Sequence, residues 1–266
     1  MSTLPEDMRH YAAALGVALE KAIAAALRQI ETGRVALLYS AGLDSAVVAR
    51  ICQDIGWKPL LLSIGTADCR DRQLVERSQA DVDLPVQFIT VGEDDVVRLL
   101  PVVQELLQDT GLADDPLHLS LGVATYLACQ VSSHKGIRLL LSGQGADTLL
   151  AGFDKYRDVP AEQLPVLLEM YLQNALRSGP VRDQAIAACF SIDFVTPFLA
   201  PAVVKLALEI PVECKVGVEG NKLVLRKLAR QRGLPDAVVQ RPKRAMQYST
   251  GIWKIVQRRM QNLGER

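Results

Sequence analysis

The sequence predicts an α/β fold, a doubly wound parallel sheet followed by a helical C-terminal half. Three observations carry this expectation. Arg34–Tyr39, Leu60–Ile64, Val86–Val91 and Ile137–Leu141 are short runs rich in Val, Ile and Leu that stay apolar rather than alternating, as strands covered on both faces require. Helical patterns lie between them, which implies parallel βαβ units with right-handed crossovers. After Gly152 the strand signals nearly stop, and helical patterns joined by Pro- and Gly-marked turns take over.

The N-terminal stretch MSTLPEDMRHYAAALGVALEKAIAAAL is interrupted by Glu6, Asp7, Glu20 and Lys21. It lacks the basic start and unbroken apolar run of a signal peptide. It reads as an amphipathic, Ala-rich helix, open to a role in the core or at an interface. After the first strand, Val47, Val48, Ile51, Cys52 and Ile55 recur at helical spacing and place a helix over Ser45–Ile55. Arg70–Ala80, Asp94–Gln108 and Leu117–Lys135 are the next helix candidates. The uncharged stretch Leu117–Ser133 carries Ser, Thr, Gln and Gly, too short and polar for a membrane span and suited to a buried helix. Beyond Gly152 the helical patterns are Ala161–Leu176, Ala200–Leu208 and Asn221–Arg232, with turns expected at Gly179-Pro180, Pro197, Pro211 and Gly233–Pro235. The whole of 1–266 is expected to be one domain: a helix in 1–30, a nucleotide-binding α/β part over 31–152, and a mainly helical part over 153–266.

Composition narrows the function. The chain carries 30 basic and 30 acidic residues, so it lacks the cationic excess of a general nucleic-acid binder. Cys52, Cys69, Cys129, Cys189 and Cys214 are scattered without a CxxC pair, which fits buried thiols in a reducing compartment better than a disulfide framework or a zinc site. A cytoplasmic protein without a membrane span is expected.

In open α/β sheets, ligands bind at the carboxyl ends of the strands. The first such end is Tyr39-Ser40-Ala41-Gly42-Leu43-Asp44-Ser45, directly before a helix. Ser40 and Ser45 supply hydroxyls, Gly42 permits close approach, and the free amides of the helix start face an anion. Asp44 would repel a bare phosphate, so its natural task there is to hold Mg²⁺ against phosphate oxygens. No Lys precedes Ser45, so the loop is neither GxxxxGK[ST] nor GxGxxG. The bland alternative is an ordinary strand-to-helix turn.

SAGLDS at Ser40–Ser45 resembles the SGGxDS loop of the N-type ATP pyrophosphatases, and LLLSGQGADTLLAGFDKY at Leu139–Tyr156 is similar to the asparagine synthetase signature LSGEGADELFGGY. A third segment agrees. IDFVTPFLAPAVVKLALEIP, then Asn221–Arg226, then LP, then Arg241-Pro242-Lys243-Arg244 parallel that family's PFLD element, K-x-x-LR, LP and R-x-K. The resemblance spans roughly Val35 to Ser249 and points to the asparagine synthetase synthase-domain family, with its Rossmann-like, adenine-nucleotide α-hydrolase-like fold.

What the resemblance implies is an ATP-dependent ligase that adenylates a carboxylate, releases pyrophosphate and passes the acyl group to ammonia or another amine. ATP would lie over Ser40, Ala41, Gly42, Leu43, Asp44 and Ser45, with Ile64, Ser142 and Gly143 completing the nucleotide pocket. Asp44 and Asp147 would carry Mg²⁺. Asp44, Gln144, Asp147 and Lys222 are the catalytic candidates, with Lys222 neutralising the pyrophosphate. For Asp147 the bland alternative is a helix N-cap. Lys222 and Arg226 are four apart, on one face of a helix, and two cations there could reach the pyrophosphate; the alternative is a solvated basic face shared with Lys227 and Arg230.

The departures from the family pattern matter. Gln144 stands where the family has Glu, and Thr148 replaces the last Glu; an amide cannot act as a base, which puts aspartate as substrate in doubt. Ala151 replaces the first Gly of GGY, Phe153 its Tyr, and Ala200 the Asp of PFLD. Ala41 replaces a loop glycine, which is tolerable if its φ is negative. About thirty residues precede the first strand, too few for the family's glutaminase domain, and residue two is Ser2. Free ammonia, another amine or a separate glutaminase subunit is therefore expected as the nitrogen source. A homo-oligomer is open.

His10, His118 and His134 have no metal-like spacing and are expected in structural or solvated roles, and Trp57 and Trp253 in packing. Gln247-Tyr248-Ser249 either lines a pocket or caps the last helix at Ser249. Two competing readings remain: a nucleotide-binding subunit without turnover, favoured by Gln144, Thr148 and Ala200, and a tRNA-modifying enzyme, which would want a cysteine pair and a basic surface.

Overall fold

The computed structural model describes residues 7–31, 33–241 and 249–264. In chain order the first half runs α1 (Met8–Leu27), β1 (Val35–Leu38), α2 (Leu43–Asp54), β2 (Leu60–Gly65), α3 (Arg70–Val82), β3 (Val86–Thr90), α4 (Glu93–Leu106), α5 (Pro116–His134) and β4 (Leu139–Ser142). The second half runs α6 (Ala146–Leu149), α7 (Leu164–Ala188), β5 (Asp193–Val195), α8 (Pro201–Glu209), β6 (Val216–Gly217), β7 (Gly220–Asn221), α9 (Leu223–Gln231), α10 (Asp236–Val239) and α11 (Ile252–Gly264).

β1 to β5 form one parallel sheet in the order β3-β2-β1-β4-β5. β1 is central, pairing Ala36 with Leu60 on one side and Val35 with Leu139 on the other. Chain order reverses between β1 and β4, and a doubly wound sheet opens its ligand crevice at such a point. Both faces are covered. Leu37, Leu61 and Leu139 join Leu15, Leu19 and Ile23 of α1 and Val224 and Leu228 of α9 in one core. Ala36, Leu62 and Leu140 join Val96, Leu99 and Val103 of α4, Val123 of α5 and Ile252 of α11 in the other. This alternation of neighbouring strand residues between two apolar layers explains why the strands read as unbroken apolar runs.

α1 is the one described helix long and apolar enough to cross a membrane. Its Leu15, Leu19 and Ile23 are fully buried in the core, so in this fold it serves as a core helix. α5 starts where the Asp115 carboxylate accepts from the Leu117 amide at 2.7 Å, with Pro116 in the first turn, a strong helix-start combination. Among the described residues the cysteines are free; Cys189 is exposed and the other four are buried.

Two expectations need correction. Asp193–Val195 is a fifth strand, pairing Leu139 with Asp193; at three residues it is too short to show a period. The turn expected at Gly179-Pro180 is instead the interior of α7, a helix of 25 residues. A Cβ on Gly179 would lie 1.8 Å from the Gln144 amide nitrogen, so the missing side chain makes room for Gln144, and tertiary packing overrides the breaker signal.

Two stability predictions arise here. Ala200 occupies the N-cap of α8 in extended geometry without a side-chain cap. Ala200→Asp is expected to stabilise the fold by about 1 kcal/mol, measured by urea unfolding. Lys215 is 3% exposed and makes no ion pair among the described residues. Its burial, partly opposed by Cys214, pulls its pKa from 10.5 down to about 8. Between those values the unfolded chain holds the proton and the folded chain does not, so stability should rise with pH across that window, by about 3 kcal/mol in total. Lys215→Met is therefore expected to stabilise by about 3 kcal/mol at pH 7, with the gain fading towards pH 10.5.

Candidate active site

The carboxyl ends of β1 and β4 lie side by side, and each delivers a loop into a short helix start. At β1, Gly42 is the N-cap of α2 in extended geometry without a side-chain cap, so the first amides of the helix are left for an anion. Ser40 Oγ accepts from the Gly42 amide at 3.4 Å, and Ser45 Oγ donates to the Gly42 carbonyl at 3.2 Å. At β4, Ser142 Oγ accepts from the Gln144 amide at 3.2 Å. The two loops touch backbone to backbone: a Cβ on Gly143 would lie 2.9 Å from the Ser45 nitrogen and 3.0 Å from the Asp44 carbonyl carbon. Only glycine fits there.

Lys222 joins the loops. Its Nζ donates to both Asp44 carboxylate oxygens, at 2.6 and 2.7 Å, and lies 2.7 Å from Asp147 Oδ1. Burial alone would lower the Lys222 pKa, but the Asp44 and Asp147 carboxylates outweigh it and raise the value above that of an ordinary lysine. Lys222 is therefore a fixed cation, and the triad carries one net negative charge. Gly152 holds the space for it, since a Cβ there would meet Asp147 Oδ1 at 2.1 Å and Lys222 Cε at 2.2 Å.

A cavity of about 380 Å³ opens over this centre, large enough for a small ligand. One lobe lies at the strand ends, where Leu38, Ser63, Ile64, Asp71 and Thr250 line it. The other lies between α5 and α7, walled by Leu121, Ala124, Ala175, Gly179 and Gln144. Its polar end is a buried network. Arg182 donates to both Asp183 carboxylate oxygens at 2.8 and 2.7 Å, and Thr125 donates to Asp183 Oδ1 at 2.8 Å. Arg182 Nη1 is 3.3 Å from His118 Nδ1. Burial first, and then the Arg182 charge, lower the His118 pKa. A neutral His118 that accepts at Nδ1 carries its proton on Nε2 and is a donor there.

Of the residues picked out from sequence, Ser40, Asp44, Ser45, Ile64, Ser142, Gly143, Gln144 and Asp147 line the cavity. Ala41 and Gly42 lie in the loop and Leu43 opens α2, none of them in the cavity lining, and Lys222 reaches the centre through its ion pairs. Other expectations change. Ala41 has φ +55°, against the negative value expected, a left-handed conformation that costs a non-glycine residue about 1–2 kcal/mol; its carbonyl accepts from Arg241 Nη1. Ala151 is likewise left-handed, at φ +53°. Lys222 is not on a helix face with Arg226: it precedes α9 at φ +54°, and Arg226 turns away to donate to the Asn221 carbonyl at 2.8 Å and to the Val239 carbonyl. Asp147 lies in the first turn of α6, whose N-cap is Gly145. Lys243, Arg244, Gln247 and Tyr248 lie outside the described residues. Ser249 is buried and donates to Asp71 at 2.7 Å, while the neighbouring Thr250 lines the cavity.

His118, Thr125, Arg182 and Asp183 were missed as cavity residues. The one available signal was an Arg-Asp pair at 182–183 within a pattern of otherwise packable helix residues.

Among the described residues no cluster of three or more His, Cys, Asp or Glu side chains could hold a metal. Asp44 and Asp147 nevertheless converge on one cation. Two carboxylates completed by phosphate oxygens and water suit Mg²⁺, which is seldom held by an all-protein cage.

The sequence profile of the asparagine synthase family matches residues 14–169 and 159–266. Relatives named asparagine synthetase domain-containing proteins occur in Saccharomyces cerevisiae, at 29% identity over 86% of this chain and 49% of that one, and in Drosophila melanogaster, at 34% identity over 82% and 45%. A Methanocaldococcus jannaschii protein provisionally named a glutamine-hydrolysing asparagine synthetase is 25% identical over 94% of this chain and 51% of its own length. The chain thus spans about half the length of these relatives. A solved structure of a predicted tRNA methyltransferase subunit from Methanocaldococcus jannaschii aligns at 14% identity with a TM-score of 0.37, covering 79% of this chain and 93% of that one, a likeness too loose to bear on function. The match of the family profile across both halves, on a fold whose two signature loops meet at the sheet's switch point, has one meaning: this chain belongs to the asparagine synthase family.

Proposed function

We propose that the chain is an ATP-dependent ligase that joins a carboxylic acid to ammonia or another amine through an acyl-adenylate. The observation that carries this is Lys222 held between Asp44 and Asp147, beside the free amides of α2. In this proposal the triphosphate lies over Ser40–Ser45 and the nucleoside in the strand-end lobe by Ile64 and Ser142. The acid fills the lobe between α5 and α7, where Arg182 and His118 present N–H donors to a polar group.

A carboxylate oxygen of the substrate attacks the α-phosphorus, and the bond to the β-phosphate bridging oxygen breaks. Pyrophosphate leaves with the electron pair, its charge met by Lys222 and the helix amides. Catalysis here is positioning plus charge stabilisation. Mg²⁺ held by Asp44 and Asp147 would supply further neutralisation of phosphate oxygens. An amine nitrogen then attacks the acyl carbon, the carbon–oxygen bond to AMP breaks, and the amine gives up a proton. Gln144 cannot accept that proton, and His118 cannot while its Nδ1 is engaged by Arg182. The departing AMP phosphate is the acceptor at hand, and Gln144 orients the amine. The reading makes no demand on where the amine comes from; a glutaminase on a separate subunit remains one source.

AMP and pyrophosphate release from Mg-ATP, screened across carboxylic acids with ammonia, glutamine or other amines, tests this. Release that requires one acid is expected. ATP binding without release in the presence of any acid would instead favour a nucleotide-binding subunit without turnover, the reading to which Gln144 and Thr148 lean.

A further inference from the structure

A separate cavity of about 420 Å³ lies beside β7 and α9 and shares no residue with the one described above. Arg157, Arg226, Lys227 and Arg230 line it, against two exposed carboxylates, Asp154 and Glu219. The cations crowd one another. The Arg226 pKa is lowered first by burial, with Asp44 opposing and with Arg230 and Arg157 adding to the fall. Among the described residues their ion pairs are long: Arg157 is 4.0 Å from Asp154, and Arg230 is 3.4 Å from the exposed Asp236.

Asn221 supplies an independent observation. It lines the cavity and is 3% exposed. Its Oδ1 accepts from Arg157 Nε at 2.8 Å, and its backbone carbonyl accepts from Arg226 Nε at 2.8 Å. Accepting from a guanidinium fixes Oδ1 as the acceptor end of the amide and Nδ2 as the donor end. That Nδ2 is buried with no partner among the described residues, and a buried donor without an acceptor is costly. The cavity therefore combines two arginines fixed through Asn221 with two further cations. A carboxylate offers too few oxygens for this set, whereas a phosphoryl group offers three terminal oxygens and the charge to match.

We propose that this cavity is a phosphoryl-anion site, distinct from the adenylation site, that takes inorganic pyrophosphate or phosphate. The assignment does not depend on the ligase reading, since either anion binds whether or not ATP is turned over.

The test uses the full chain without nucleotide or Mg²⁺ at low ionic strength, titrated separately with pyrophosphate and with phosphate. Binding is followed by calorimetry and by the Asn221 side-chain amide resonances, which are identified by their absence in Asn221→Ser. Saturable binding that shifts those resonances is expected. Lys227→Gln combined with Arg230→Gln, both lining this cavity and not the active-site one, should weaken it at least ten-fold. Tighter binding of pyrophosphate would identify the reaction product as the source, and equal binding would identify free phosphate; both support the site. Resonances that stay still with both anions, or an affinity unchanged in the double variant, would overturn it.

Discussion

Replacing Lys222 with Met is expected to lower acid-dependent ATP–pyrophosphate exchange by about a thousandfold, comparable to the loss of a main transition-state donor. The side chain is 5% exposed and holds two carboxylates at 2.6–2.7 Å. Its removal leaves Asp44 and Asp147 facing each other without a counter-charge. Breaking such a pair from one side destabilises the fold, here by about 3 kcal/mol, the carboxylates being partly solvated. That deficit should shrink as the pH falls, because protonating one carboxylate relieves the repulsion. Exchange kinetics and thermal melts across pH check both parts. Exchange within tenfold of the parent chain would remove Lys222 from the mechanism.

Gly152→Ala is expected to be nearly as damaging through geometry alone. The new methyl would need the space of Asp147 Oδ1 and Lys222 Cε, at 2.1 and 2.2 Å, and it also meets Asp147 Cα at 2.8 Å. A side chain can swing away, but a Cα cannot without moving α6. Overpacking of this kind costs about 1–3 kcal/mol, and the displaced carboxylate should cost exchange activity about a hundredfold. Ala151, next in the chain, already carries a Cβ at φ +53°, which makes it a control. Ala151→Gly should leave exchange intact, so a loss confined to Gly152→Ala would locate the effect at the triad. Full activity in Gly152→Ala would contradict the packing account.

The parts of this fold that were legible in the sequence are those whose signal is local. Ser40–Ser45 and Ser142–Gly143 stood out because a strand end, a glycine and a helix start occur within a few residues. β1, β2 and β4 were legible because burial on both faces makes them uniformly apolar, whereas β3, expected to be buried, is a half-buried edge strand with Gln87 and Thr90 in its run. What escaped has a different physical origin. Asp193–Val195 is defined by its neighbour β4 rather than by its own pattern. Gly179-Pro180 breaks a helix on propensity, but Gln144, 35 residues earlier in the numbering, fills the glycine's space. The Arg182–Asp183 network draws on Thr125, 58 residues before Asp183, and His118, 64 before Arg182, a proximity that only helix packing creates. Lys222 was found for the right charge in the wrong geometry: its left-handed backbone sends it to the triad and Arg226 elsewhere.

The most direct test of the central claim follows oxygen. Once an acid that supports turnover is identified, it is supplied with ¹⁸O in its carboxyl group, and the products are analysed by mass spectrometry. Attack of that carboxylate on the α-phosphorus predicts one labelled oxygen in AMP and none in pyrophosphate. Label in inorganic phosphate together with ADP, or AMP formed without label, would contradict an acyl-adenylate formed at the Asp44–Lys222–Asp147 centre.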